Sequence, residues 1–267
     1  MLVDSHCHLD GALFAPDRDV VLARASACGV GHIVLPAVGE DSWQPILELA
    51  RRAGAPRLHA ALGVHPVSLS ESPAANDDEL LTALARLVAE ARTELVAIGE
   101  CGLDAVTDLS RADFARQERV LVAQLTLARR TNLPVILHAR GSLAYRRLAE
   151  LLAAQPLGPA GGVIHSYSGG VDLVRPFVAL GLHFGFAGPA TYPDARKVRA
   201  SVDAVPLDRL LLETDAPDQT PVPHRPGRCE PAYVADVLAG LAAIRRLSVD
   251  ELAAITTANA TRLFGLR

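Results

Sequence analysis

Leu133-Pro-Val-Ile-Leu-His138 is an aliphatic run that closes on a single imidazole, and the same form recurs along the chain. Gly162-Val-Ile-His165 repeats it, Val96-Ala-Ile-Gly-Glu100 ends in a carboxylate, and Leu210-Leu-Leu-Glu-Thr-Asp215 ends in another. Near-continuous aliphatic runs of this length read as strands of a parallel sheet buried on both faces. Working outward, eight such runs are predicted as strands: Leu2–His8, His32–Val38, Leu58–His65, Val96–Glu100, Pro134–His138, Gly162–His165, His183–Ala187 and Leu210–Asp215. Between them lie stretches of helical periodicity: Arg18–Cys28, Ser42–Arg52, Asp78–Arg92, Phe114–Thr131, Ser142–Ala154, Asp172–Leu180 and Ala195–Val202. Pro231–Arg246 and Ser248–Thr257 follow the last strand, with Ser248 and Glu251 spaced as a capping box.

Strict alternation of strands and helices requires parallel pairing, because parallel neighbours need crossover connections. Eight is the number at which such a sheet closes on a filled interior. The expectation is therefore an α/β fold, a (β/α)8 barrel formed as one domain over residues 1–267. A doubly wound open sheet is the rival, but its GxGxxG turn after the first strand is absent.

The chain's 267 residues match the roughly 250 of an ordinary barrel, with 50% hydrophobic and 4% aromatic content. A net charge of -4 supplies no global basic field, so a nucleic acid would have to be gripped locally. No apolar run approaches the ~18 residues of a membrane helix. The first residues carry neither a basic nor an apolar leader segment, and Cys7, Cys28, Cys101 and Cys229 form no CxxC pair. A cytoplasmic protein with reduced thiols is expected.

Six of the eight predicted strands finish with a metal-type side chain at the carboxyl end, the face on which barrel enzymes carry their active sites. His6 and His8 stand two apart, so alternation turns both imidazoles to one side and Cys7 to the other. Asp4 shares their face and is read as a hydrogen-bond support for a ligand histidine. Glu100 at the end of an apolar strand is costly to bury unless paired or bound to cations, and it is placed as the bridge between two. Gly99 and Gly102 beside it let neighbouring backbone come close. His138 and His165 read as ligands of a second ion. Asp215 completes the first ion and can take a proton from water, with Glu213 as a supporting partner. His65 follows its strand and is assigned to the catalytic machinery near substrate phosphate rather than to a metal. His32, His59 and His183 sit at strand starts, the structural end of a barrel.

In order along the chain, Asp4-Ser-His-Cys-His-Leu-Asp10, Gly63-Val-His-Pro66, Ile98-Gly-Glu-Cys-Gly-Leu-Asp104, Pro134-Val-Ile-Leu-His-Ala-Arg140, His165-Ser-Tyr-Ser-Gly169 and Leu211-Leu-Glu-Thr-Asp-Ala-Pro217 closely resemble the TatD family of metal-dependent deoxyribonucleases, within the amidohydrolase superfamily. The resemblance implies that His6, His8, Glu100, His138, His165 and Asp215 are the metal positions. It also implies divalent-metal hydrolysis of DNA phosphodiesters, commonly from a 3′ end, with Mg or Mn. Imidazole-rich sites by themselves suit Zn, Fe, Ni or Mn better than Mg, so bound zinc is equally compatible with the residues. Ala105-Val106 stand where relatives often carry aromatics, Gly141 where an Asp is common, and Arg225-Pro-Gly-Arg-Cys-Glu-Pro231 replaces the usual Arg-Gly-Lys segment. These departures fall on substrate loops.

Two-metal, activated-water hydrolysis of single-stranded or frayed DNA is the leading expectation. Arg140 is placed on a non-bridging phosphate oxygen, and Arg225 and Arg228 are weaker candidates that read equally as solvated loop charges; Tyr167 and Tyr192 could stack on a terminal base, but core or loop packing is the preferred reading of each. A monomer with no membrane and no obligate protein partner is expected. The alternative is hydrolysis of another ester or an amide on the same barrel, for example an aminoacyl ester on tRNA.

Overall fold

The computed structural model describes residues 1–71, 73–106 and 111–266. Eight strands follow one another in space as they do in sequence: β1 (Leu2–Asp4), β2 (Val30–Pro36), β3 (Arg57–Leu62), β4 (Leu95–Asp104), β5 (Val135–Arg140), β6 (Gly162–Ile164), β7 (Leu182–Phe186) and β8 (Leu210–Leu212). Each strand pairs in parallel with the next, from β1 through β8. Past β1 and β8 the chain ends still meet: Ser5 N donates to Leu212 O (2.9 Å), Asp215 N to His6 O (2.9 Å) and His8 N to Ala216 O (2.8 Å). Those bonds tie first strand to last and make the sheet a (β/α)8 barrel.

Helices α1 (Arg18–Ala27), α2 (Glu40–Ala50), α3 (Asp77–Glu90), α4 (Arg111–Thr131), α5 (Ser142–Ala154), α6 (Val174–Ala179) and α7 (Arg196–Ala204) fill the crossovers, and α8 (Val234–Arg245) and α9 (Val249–Phe264) follow β8. The interior is packed by side chains from seven of the strands, Val3, Val34, Ala61, Ala97, Ile136, Val163 and Leu211. Leu263, Phe264 and Leu266 join that cluster from the amino end of the strands, so the barrel is a plugged core and no pore.

Four predicted boundaries moved for physical reasons. The regular parts of β1 and β8 stop at Asp4 and Leu212, short of the predicted His8 and Asp215. Asp4 takes over Thr214's backbone N–H (2.9 Å) and hydroxyl (2.6 Å), and Asp215 has φ 55°. Side-chain acceptors thus replace the ladder at this junction. In the other direction, β4 runs to Asp104, so Glu100 lies inside the strand rather than at its end. Gly99 and Gly102 permit this: a Cβ on Gly99 would stand 2.7 Å from Ile136 O, and one on Gly102 would overlap the His138 carbonyl. Finally, α9 starts on the predicted box, Ser248 Oγ accepting from Glu251 N (3.2 Å), but continues past Thr257 to Phe264. Burial of Ala260, Leu263 and Phe264 under the barrel rewards the extra turns.

Candidate metal centre

Five imidazoles and two carboxylates meet at the carboxyl mouth of the strands. Alternation along the β1 extension turns His6 and His8 together, their Nε2 atoms 3.2 Å apart, while Cys7 between them is fully buried the other way. Glu100, 2% exposed, lies between two groups of histidines. Its Oε2 is 3.1 Å from His6 Nε2 and 3.7 Å from His8 Nε2. Its Oε1 is 2.7 Å from His165 Nε2 and 3.0 Å from His138 Nδ1. Asp215 Oδ1 lies 3.6 Å from both His6 and His8.

Donor atoms at 3.1–3.2 Å from one another are spaced like two ligands of one cation held at about 2.0–2.1 Å. Three sets cluster within 4.8 Å and could hold a metal ion: His6, His8 and Glu100; His6, His165 and Asp215; His65, Glu100 and His138. Apart from His65, these residues fit divalent cations: their lone pairs converge on one another instead of on separate partners. The buried Nδ1 atoms of His6, His8 and His165 have no hydrogen-bond partner among the described residues.

Electrostatics keeps the carboxylates ready as ligands. Burial works against ionising Glu100, but the surrounding imidazoles hold it well below the usual carboxylate range. Asp215 likewise overcomes burial through His8, His165 and His6 and sits at about 2. Burial pulls His6 down to about 4, whereas the carboxylates outweigh burial at His8, raised to about 9, and at His165, raised to about 10. Protons here occupy positions that cations compete for.

His65 Nε2 stands 3.2 Å from Glu100 Oε1. Its other nitrogen accepts from Val67 N (3.0 Å), which fixes the ring proton on Nε2. His65 therefore presents a donor to the site, not a lone pair.

The supports differ in part from the sequence reading. Asp4 bonds the backbone N–H of His6 (3.3 Å) and Thr214, not a ligand imidazole, so it fastens the β1–β8 junction. Glu213 accepts from Ser166 N (2.5 Å) and Ser5 Oγ (3.2 Å), 3.9 Å from His165 Nδ1. Burial raises it to about 8. Sequence reasoning gave Asp104 no role, yet its Oδ2 lies 3.2 Å from His138 Nε2 and turns Nδ1 toward Glu100. Its place four residues after Glu100 on one strand was the available signal. Gln219 was also missed: Nε2 donates to Asp215 Oδ2 and Oε1 accepts from Ser166 Oγ (2.8 Å). No sequence spacing announces a contact made across a loop.

The cavity over this cluster measures about 640 Å³, with Arg140, Ser166, Ser168 and Gln219 on its walls. Arg140 is 61% exposed and 3.9 Å from Asp104 Oδ2, free to swing toward a ligand. The other three residues expected to contact substrate do not line the cavity, and Tyr192 is outside it too. Tyr167 is 1% exposed, packs edge-on against Phe184 and donates to Gly170 O (2.7 Å), so it is core and stacks on no base. Arg228 is held by Asp17 (2.7 Å) and Glu230 (3.0 Å). Arg225 lies over the Tyr192 ring at 4.4 Å, and that ring's hydroxyl donates to Thr220 O.

A parallel barrel with convergent imidazoles and carboxylates at its carboxyl mouth defines the metal-dependent hydrolase class. Residues 3–265 match the family model described as "TatD related DNase", and the chain belongs to the TatD family. It is 39% identical to "Uncharacterized metal-dependent hydrolase YjjV" of Escherichia coli K12 over 264 residues, covering 99% of this chain and 98% of that one. It is 36% identical to "3'-5' ssDNA/RNA exonuclease TatD" of Salmonella typhimurium, covering 98% of each. The crystal structure of the Escherichia coli YjjV protein superposes with a TM-score of 0.90 at 37% identity, covering 100% of this chain and 98% of that one. Among the described residues no helix is long and apolar enough to cross a membrane.

Proposed function

We propose that this chain is a divalent-metal-dependent deoxyribonuclease that hydrolyses phosphodiesters from the 3′ end of single-stranded or frayed DNA. The observation that carries the reading is Glu100, one oxygen turned to His6 and His8 and the other to His138 and His165. A carboxylate so placed would be shared by two cations, and bound metal would supply the acidity that activates water and the charge that offsets the phosphoryl oxygens. His6, His8 and Asp215 would hold one, His138 and His165 the other. Mg or Mn are the proposed working ions, with Zn also able to occupy an imidazole-rich site.

The chain's own groups divide the remaining work. Asp215, ionised and oriented by Gln219, accepts a proton from the attacking water. His65, with its proton fixed on Nε2, donates to a phosphoryl oxygen arriving beside Glu100. Arg140 holds a non-bridging oxygen at the cavity wall. The relatives named as 3'-5' ssDNA/RNA exonucleases support both polarity and substrate class.

The test is hydrolysis of 3′- and 5′-labelled single-stranded DNA by metal-stripped protein, with Mg, Mn or Zn restored singly and His138→Ala prepared in parallel. Stepwise shortening from the 3′ end, restored by metal and absent from the variant, is the expected result. Equal inertness of both proteins with every ion overturns it and turns attention to carboxylic ester, aminoacyl ester and amide substrates.

A further inference from the structure

The larger cavity lies at the opposite mouth, among the amino ends of the strands, with a volume of about 1060 Å³. Arg57, Arg92, Arg209 and Arg262 line it, and among its described lining residues Glu94 is the one carboxylate. Both Glu94 oxygens are already taken by Arg51, at 2.5 and 3.0 Å. Such a concentration of guanidinium stands out in a chain whose net charge is -4.

Two of the four, Arg92 and Arg262, are held by uncharged groups. Arg92 donates to Thr131 O (2.9 Å) and Asn132 O (3.5 Å). Arg262 Nη2 donates to Asp208 O (3.1 Å) and Asn259 Oδ1 (2.8 Å). Arg209 Nε lies 3.5 Å from Asp208 Oδ2, a carboxylate that is 68% exposed. These contacts fix the side chains without cancelling their charge. Each guanidinium carries five N–H donors, so the Nη1 groups of Arg92 and Arg262 remain for another acceptor. His183, 5% exposed on the same wall, has no hydrogen-bond partner on either ring nitrogen among the described residues. Burial, Arg209 and Arg262 together hold it at about 4, so it sits neutral in a positive field.

We propose that this cleft binds a phosphorylated small molecule of nucleotide size, its phosphate gripped by the guanidiniums, at a site separate from the metal centre. Guanidinium forks match phosphate oxygens in pairs, and several of them around one cleft suit a ligand of at least two negative charges. The volume is that of a cavity for a whole small molecule rather than a single ion. The site stands whether or not the carboxyl mouth hydrolyses DNA.

Calorimetric titration of the metal-stripped full-length protein tests it, with pyrophosphate, deoxyadenosine monophosphate and uncharged deoxyadenosine as probes. Deoxyadenosine monophosphate and pyrophosphate should each bind once per chain, and deoxyadenosine should not. Arg92→Gln with Arg209→Gln should weaken the monophosphate at least tenfold, while Arg140→Gln binds as wild type. The single Arg209→Gln variant, whose charged partner among the described residues is the exposed Asp208, should show the same direction with unchanged melting temperature and unchanged metal-dependent hydrolysis. Binding of pyrophosphate alone would overturn the nucleotide and leave an inorganic phosphate site. Silence from both phosphates, or loss of binding in Arg140→Gln rather than in the Arg92 and Arg209 variants, overturns the proposal.

Discussion

At the carboxyl mouth His6, His8, His65, His138 and His165 surround Glu100, with Asp215 and Asp104 behind them. At the amino mouth His32 and His59 hydrogen-bond each other at 2.8 Å, and His59 and His183 are held at about 4 by burial together with the charges of His32 and neighbouring arginines. The same side chain is buried at both ends. Beside carboxylates it is poised to exchange a proton for a cation; beside guanidiniums it stays neutral and leaves the field to anions. An imidazole's chemistry is thus set by the end of the strand on which it sits, because carboxylates face it at one end and guanidiniums at the other.

The largest effect belongs to Glu100→Gln, which removes the charge shared by both histidine groups. Metal-dependent hydrolysis should fall by about 10³-fold or more with the barrel intact, read as kcat with melting temperature as the control. Retained activity would mean that the carboxyl mouth does not work as one charged unit. Asp104→Asn is milder: His138 loses its anionic partner, and metal affinity should drop about 10- to 100-fold, measured by titrating metal back into stripped protein. Unchanged affinity would remove Asp104 from the site.

At the amino mouth the contrast is in stability. Folded His183 titrates at about 4, while an unfolded histidine titrates near 6.5. Between those values only the unfolded chain takes the proton, so the protein loses stability as pH falls from 6.5 toward 4. His183→Gln should flatten that loss by up to about 3 kcal/mol, seen in denaturant midpoints compared at pH 7 and pH 4.5. An identical pH slope in the variant would place the imidazole outside the positive field. The smallest effect belongs to Tyr167→Phe, which deletes the bond to Gly170 O at a cost of about 1 kcal/mol and should leave KM for DNA unchanged. A raised KM would return Tyr167 to the substrate path.

Much of the site was legible before any coordinates. Alternation alone placed His6 and His8 on one side of the chain, and the aliphatic runs announced where Glu100, His138, His165 and Asp215 would come together. The substrate contacts were less legible, for a physical reason. Tyr167 and Arg228 carry chemistry that suits a nucleic acid, but an aromatic ring also fills a core and a guanidinium also closes an ion pair, as both do here. Asp104 and Gln219 show the converse: short-range sequence says little about a carboxylate or amide whose partner, His138 or Ser166, lies on another strand or loop.

By itself the sequence determined the eightfold alternation, the aliphatic strands and the polar residues at their carboxyl ends, since those follow from periodicity and from the cost of burying charge. Only the tertiary structure decided that β4 carries on past Glu100, that Asp4 locks the barrel's seam, that His65 offers a proton, and that arginines from four separate segments enclose one cleft. Each of these depends on groups far apart in the chain arriving within hydrogen-bonding or electrostatic reach, a condition that closure of the barrel imposes and local pattern does not record.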